Sequence, residues 1–94
     1  MILSDLNRTI ELASDFSFAY YNKGNIHYYL KNYNESLNSY NKAISIDPDF
    51  AEAYFNRGII YIQMNNANSA NLDLSKAGEL GIYQAYSILK TLQK

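Results

Sequence analysis

The chain has 94 residues, 48% of them hydrophobic, and a formal net charge of −1, which points to one small folded domain rather than a disordered tail. The balanced charge, with no basic run, argues against nucleic acid and anionic membrane as partners, and the absence of cysteine removes disulfides, thiol nucleophiles and sulfur-ligated zinc. No basic segment leads into a long apolar run at the start, and the longest apolar stretch (residues 59–62) is far too short to span a bilayer, so a cytoplasmic location is expected.

The first predicted element is a helix over residues 1–16. Leu6, Ile10, Leu12, Asp15 and Phe16 echo Tyr40, Ile44, Ile46, Asp49 and Phe50 at an offset of 34 residues. The same offset relates Ala19-Tyr20-Tyr21-Asn22-Lys23-Gly24 to Ala53-Tyr54-Phe55-Asn56-Arg57-Gly58. A fixed period of this length means stacked units, each a supersecondary motif that cannot bury its apolar face alone. Two whole units are read, at residues 17–50 and 51–81, with the opening helix as the second half of a unit whose first helix is missing.

Within each unit a turn falls at matching positions, Lys31-Asn32 and Asn65-Asn66, where asparagine suits left-handed geometry. The second helix of the first unit spans about 34–46, with Leu37, Tyr40, Ala43 and Ile44 on one face. Pro48 ends it, because proline cannot continue a helix and disfavours helical geometry in the residue before it. Asp49 and Glu52 then have capping-box spacing for the next helix. Ala53, Tyr54, Arg57, Gly58 and Tyr61 follow at steps of three and four. A helix over about 68–79 carries Ala70, Leu74 and Ala77. The last helix, 82–93 within a capping segment 82–94, has the stripe Ile82, Ala85, Tyr86, Ile88, Leu89 and Leu92. The sum is about six helices.

This pattern resembles the tetratricopeptide repeat (TPR) family. Tyr20, Gly24, Ser36, Tyr40, Ala43 and Pro48 fill its signature positions in the first repeat, and Tyr54, Gly58, Tyr61, Ala70, Leu74 and Ala77 fill those of the second. His27, Lys23, Arg57 and Ile82 depart from the family pattern. The resemblance implies an all-α, right-handed superhelix of antiparallel helical hairpins, here the C-terminal part of a longer TPR array. Gly24 and Gly58 lie inside helices, where glycine costs roughly 1 kcal/mol against alanine; the expectation is that each marks the closest approach of two helices.

By the same resemblance the concave face would hold a peptide or a partner helix. Its inward positions are Phe18, Tyr21, Asn22, Asn25, Tyr28 and Tyr29 in repeat one, and Glu52, Phe55, Asn56, Ile59, Ile62 and Gln63 in repeat two. Tyr21, Asn22, Asn25, Tyr28, Phe55, Asn56, Ile59 and Gln63 are the candidate partner-binding residues. A carboxamide offers both a donor and an acceptor, so Asn22 and Asn56, one repeat apart, could track a peptide backbone. The lysine of the family's carboxylate clamp falls on Tyr21 and its equivalent on Phe55, which argues against that clamp.

His27 stands alone at a packing position, and no phosphate loop or metal-ligand spacing occurs. The expectation is a non-enzymatic scaffold module with no cofactor. An alternative is a structural module that self-associates into a homo-oligomer through Ile2, Leu3, Leu6 and Ile10 on the unpaired first helix.

Overall fold

The computed structural model describes the backbone of residues 2–92 and the side chains of residues 13–92. Among them the fold is all-helical: α1 (Ile2–Tyr29), α2 (Tyr33–Ile46), α3 (Ala51–Gln63), α4 (Ala67–Glu79) and α5 (Gln84–Leu92). Each helix packs on the one before it, giving hairpins α1–α2 and α3–α4 with α5 closing the far end.

Among the described residues there are five helices rather than about six. The opening helix and the first helix of repeat one are a single α1. The repeat offset explains why. Where the junction between α2 and α3 has Asp47-Pro48, the equivalent residues are Ala13-Ser14. Neither interrupts backbone hydrogen bonding, so the helix runs through. At 28 residues α1 is about 42 Å long. It overruns α2, because Ser17 already sits opposite the last turn of α2, where its hydroxyl donates to the Ala43 carbonyl at 2.9 Å. The chain is accordingly elongated, 55 × 28 × 16 Å. Met1 and the side chains of Ile2, Leu3, Leu6 and Ile10 lie outside the described residues, as do Gln93 and Lys94.

The turns follow one design. Lys31 and Asn65 adopt φ of 61° and 59°, and Gly81 adopts 114°. Each is flanked by the same bond pair. Asn32 N–H reaches the His27 carbonyl and Lys31 N–H that of Tyr28; Asn66 pairs with Tyr61 and Asn65 with Ile62; Ile82 pairs with Ala77 and Gly81 with Gly78. These are Schellman motifs, in which one left-handed residue satisfies the last carbonyls of a helix. Asn66 then caps α4 by accepting from Ser69 N–H at 3.2 Å.

The expected capping box is absent. Phe50, not Asp49, precedes α3, and no side chain caps it. The Asp47 carboxylate accepts from Asp49 N–H at 3.1 Å, forming a local turn. The buried Phe50 ring fixes the entry of α3.

Two apolar clusters hold the stack. Tyr40, Ala43, Phe50, Ala53 and Ile60 form the first, at the α1–α2–α3 junction; Leu74, Ala77, Ala85 and Leu89 form the second, under α5. The glycines lie where the helices meet. A Cβ on Gly24 would stand 2.7 Å from the Tyr40 ring, and one on Gly58 would stand 2.9 Å from Leu74 Cγ. Ser36 in α2 donates to the Gly24 carbonyl at 2.7 Å, a bond that this close approach permits. Gly78 does the same for α5, where the Tyr86 ring lies 2.6 Å from a would-be Cβ.

Candidate functional site

The first helices of the two hairpins, α1 and α3, stand side by side, and a cavity of about 310 Å³ opens between them. Its lining is Tyr21, Asn25, Tyr28 and Tyr29 from α1, with Asn56 and Ile59 from α3. On α1 these residues recur at steps of three and four, so they share one face. The lining has no formally charged side chain.

Aromatic packing positions the α1 wall. Tyr21 lies 4.8 Å from Phe50, centroid to centroid, and 5.9 Å from Tyr40. Phe18 stacks on Phe50 at 5.9 Å, continuing the wall toward the start of α3. Tyr28 is held by Tyr33 at 6.0 Å, while Tyr29 is 84% exposed at the rim.

A hydrogen-bond relay crosses the floor. Tyr40, 1% exposed, reaches from α2 beneath α1 and donates its hydroxyl proton to Asn25 Oδ1. The same oxygen accepts from Asn56 Nδ2 at 3.0 Å, and Asn56 Nδ2 also donates to the Tyr21 hydroxyl at 3.2 Å. Burial, the largest influence on the Tyr40 phenol, pushes its pKa up to about 12, so it remains a proton donor throughout the physiological range.

Of the residues predicted from sequence, Tyr21, Asn25, Tyr28, Asn56 and Ile59 come together at this cavity. Asn22 is exposed beside it, and Gln63 is exposed at the end of α3. Phe55 is half-buried against the second apolar cluster. Asn56 therefore meets Asn25, 31 residues away, rather than Asn22 at the repeat offset of 34. Sequence reasoning missed the hydroxyl of Tyr40. The signal was that the other repeat has Leu74 at the same position, which makes the phenol more than an apolar filler.

A second polar contact joins the repeats behind the groove. Arg57 donates through Nε and one terminal nitrogen to both Asp73 oxygens, each at 2.7 Å, and through the other terminal nitrogen to Asn41 Oδ1 at 2.8 Å. The hydrogen bond to Asp73 raises the Arg57 pKa above its already high ordinary value. His27, read as a packing residue, is half-buried in α1 with its Nδ1 buried and without a hydrogen-bond partner among the described residues.

Residues 24–65 match the family model described as TPR repeat. The matched segment runs from the end of α1 through α2 and α3. Among solved structures the chain is similar to the crystal structure of MamA, with a TM-score of 0.80 at 20% identity, covering 92% of this chain and 56% of that one. A second MamA structure gives 0.79 at 21% identity, with 92% and 52% covered. The first TPR of Spaghetti (RPAP3), bound to the HSP90 peptide SRMEEVD, gives 0.78 at 24% identity, with 85% and 67% covered. The chain thus spans about half the length of the MamA chains it matches. No curated protein matches it. These likenesses establish the TPR fold, in which α1 and α2 form one repeat hairpin and α3 and α4 the next. Among the described residues no helix is long and apolar enough to cross a membrane.

Proposed function

We propose that this TPR chain is a protein-interaction module that holds an extended peptide, or one face of a partner helix, in the groove between α1 and α3. The observation that carries this reading is the cavity lined by Tyr21, Asn25, Tyr28, Tyr29, Asn56 and Ile59. Aromatic surface supplies large contact area at low entropic cost, and paired carboxamides supply orientation. The peptide in the RPAP3 structure is acidic. The present cavity has Tyr21 where a clamp lysine would stand and no cation in its lining, so its occupant is a neutral segment bearing an aliphatic or aromatic side chain.

The test is backbone and side-chain amide NMR of the labelled protein titrated with a peptide selected from a random display library. Shifts concentrated on Tyr21, Asn25, Tyr28, Asn56 and Ile59 are expected. Shifts concentrated on α2, α4 and the outer face instead would overturn the reading.

A second reading is self-association through residues 2–12, supported by the overrun of α1 past the end of α2. It predicts a concentration-dependent sedimentation coefficient at micromolar protein, abolished by deleting residues 1–12. A monomer at all concentrations tested would remove it.

A further inference from the structure

Resting on the self-association reading, we infer that two copies of this chain pair through α1 by an antiparallel exchange: residues 2–12 of each copy cover the face of the other that carries Phe16, Ala19 and Ile26, as α2 covers α3 within the chain.

The repeat offset identifies the open face. Phe50, Ala53 and Ile60 are 7%, 0% and 0% exposed, because the preceding hairpin packs on them. Their equivalents one repeat earlier are Phe16, Ala19 and Ile26. Phe16 and Ile26 are each 59% exposed, and Ala19 is exposed as well. The same apolar surface is sealed in one repeat and open in the other.

What seals it is also repeated. α3 packs more extensively on α2 than on α1. Leu37, Tyr40, Ala43 and Ile44 of α2 belong to the cluster that takes in Ala53 and Ile60. Asn41 of α2 accepts from Arg57 of α3 at 2.8 Å. One repeat earlier the covering positions are Leu3, Leu6, Thr9 and Ile10, and the polar pair becomes Asn7 and Lys23. The chain therefore carries its own cover for the open face. It cannot apply that cover to itself, because α1 is continuous from Ile2 to Tyr29. With no break at Ala13-Ser14, residues 2–12 run on along the helix axis instead of folding back over residues 16–29. A second copy removes the conflict.

The register follows from the same offset. The α2–α3 junction is centred between Pro48 and Asp49, so its equivalent lies between Ser14 and Asp15. Two α1 helices laid antiparallel about a two-fold axis there put Leu3 across from Ile26 and Ile10 across from Ala19 of the other copy. The halves 2–13 and 16–29 match in length, at about 18 and 21 Å. Such a contact is isologous and closes at two copies.

The chain has no cysteine, so engineered thiols report without background. Wild-type protein is expected to sediment at micromolar concentration with twice the chain mass. Leu3→Cys and Ile26→Cys proteins, mixed and oxidised, are expected to give a disulfide-linked dimer. Leu3→Cys alone is not, because its two thiols stand about 35 Å apart in this register. Ala13→Asp/Ser14→Pro restores the break found at Asp47-Pro48 and is expected to halve the mass. In that background Leu3→Cys and Ile26→Cys on one chain should link within it. A dimer that links through Leu3→Cys alone, that leaves the mixed pair unlinked, or that survives the proline overturns the exchange while self-association stands. A wild-type monomer at every concentration removes the self-association reading itself, a separate result.

Discussion

Gly58→Ala sets two known effects against each other. At an open site in a helix interior, alanine is better than glycine by about 1 kcal/mol. Gly58 is not open. The added Cβ would lie 2.9 Å from Leu74 Cγ, 3.1 Å from Leu74 Cδ2 and 3.4 Å from Asp73 Cβ. Carbon pairs prefer about 3.5–4.0 Å, so α3 and α4 would have to separate by about half an ångström or more. Leu74 is fully buried, and its Cγ lies too close to its own backbone to swing aside. Asp73 is tied to Arg57 through both oxygens. Overpacking of this kind costs about 1–3 kcal/mol, which exceeds the propensity gain. The expected net effect is a loss of about 1 kcal/mol, or about 4–8 °C in Tm for a domain of this size. Gly58→Leu should cost much more. The decisive comparison is a double-mutant cycle by urea denaturation at low temperature. Leu74→Ala costs about 2–5 kcal/mol alone. In that background the obstacle is gone, and Gly58→Ala should turn from destabilising to stabilising. An increase in Tm for Gly58→Ala with Leu74 present, or the same sign in both backgrounds, would refute the packing explanation.

Three further outcomes are expected. Asp73→Ala removes both carboxylate bonds from the half-buried Arg57 guanidinium and should cost about 1–3 kcal/mol in chemical denaturation, whereas the double variant Arg57→Leu/Asp73→Leu, which removes both charges, should recover most of that loss. Tyr40 ionises near 10 when unfolded but is pushed up to about 12 in the fold. Its contribution is intact below pH 10 and is lost as pH rises toward 12, by about 3 kcal/mol in all; alkaline denaturation of Tyr40→Phe should lack this component. Lys31 holds a left-handed φ that Asn65 and Gly81 accept more readily, so Lys31→Asn or Lys31→Gly should gain about 0.5–1 kcal/mol in thermal melting.

Much of this architecture is legible in the sequence, because the repeat forces the same physical problem to be solved twice. Gly24 and Gly58 share an offset because Tyr40 and Leu74 crowd them in the same way. Lys31 and Asn65 share one because each ends a helix by the same pair of bonds. The fusion of the first two helices was illegible for a related reason. The apolar echo from Leu6 to Phe16 reports burial spacing, which a continuous helix and a broken one satisfy equally. The break depends on Pro48, and Ser14 stands in its place.

The site shows where periodicity stops informing. An offset of 34 identifies residues that occupy equivalent places in successive repeats, and so pairs Asn22 with Asn56. Contact between successive repeats is a different relation. α1 and α3 meet such that Asn25, nearly one helical turn beyond Asn22, reaches Asn56. Equivalence therefore predicts which face a residue is on, and stacking decides which residue it touches. Tyr40 belongs to both relations. Its ring answers Gly24 within a repeat, a place Leu74 fills as well in the next. Its hydroxyl answers Asn25 and, through it, Asn56 of the next repeat, a task leucine cannot perform. Packing within a repeat and contact between repeats thus meet in one side chain: the ring packs on Gly24, and the hydroxyl holds Asn25 Oδ1 at the cavity floor.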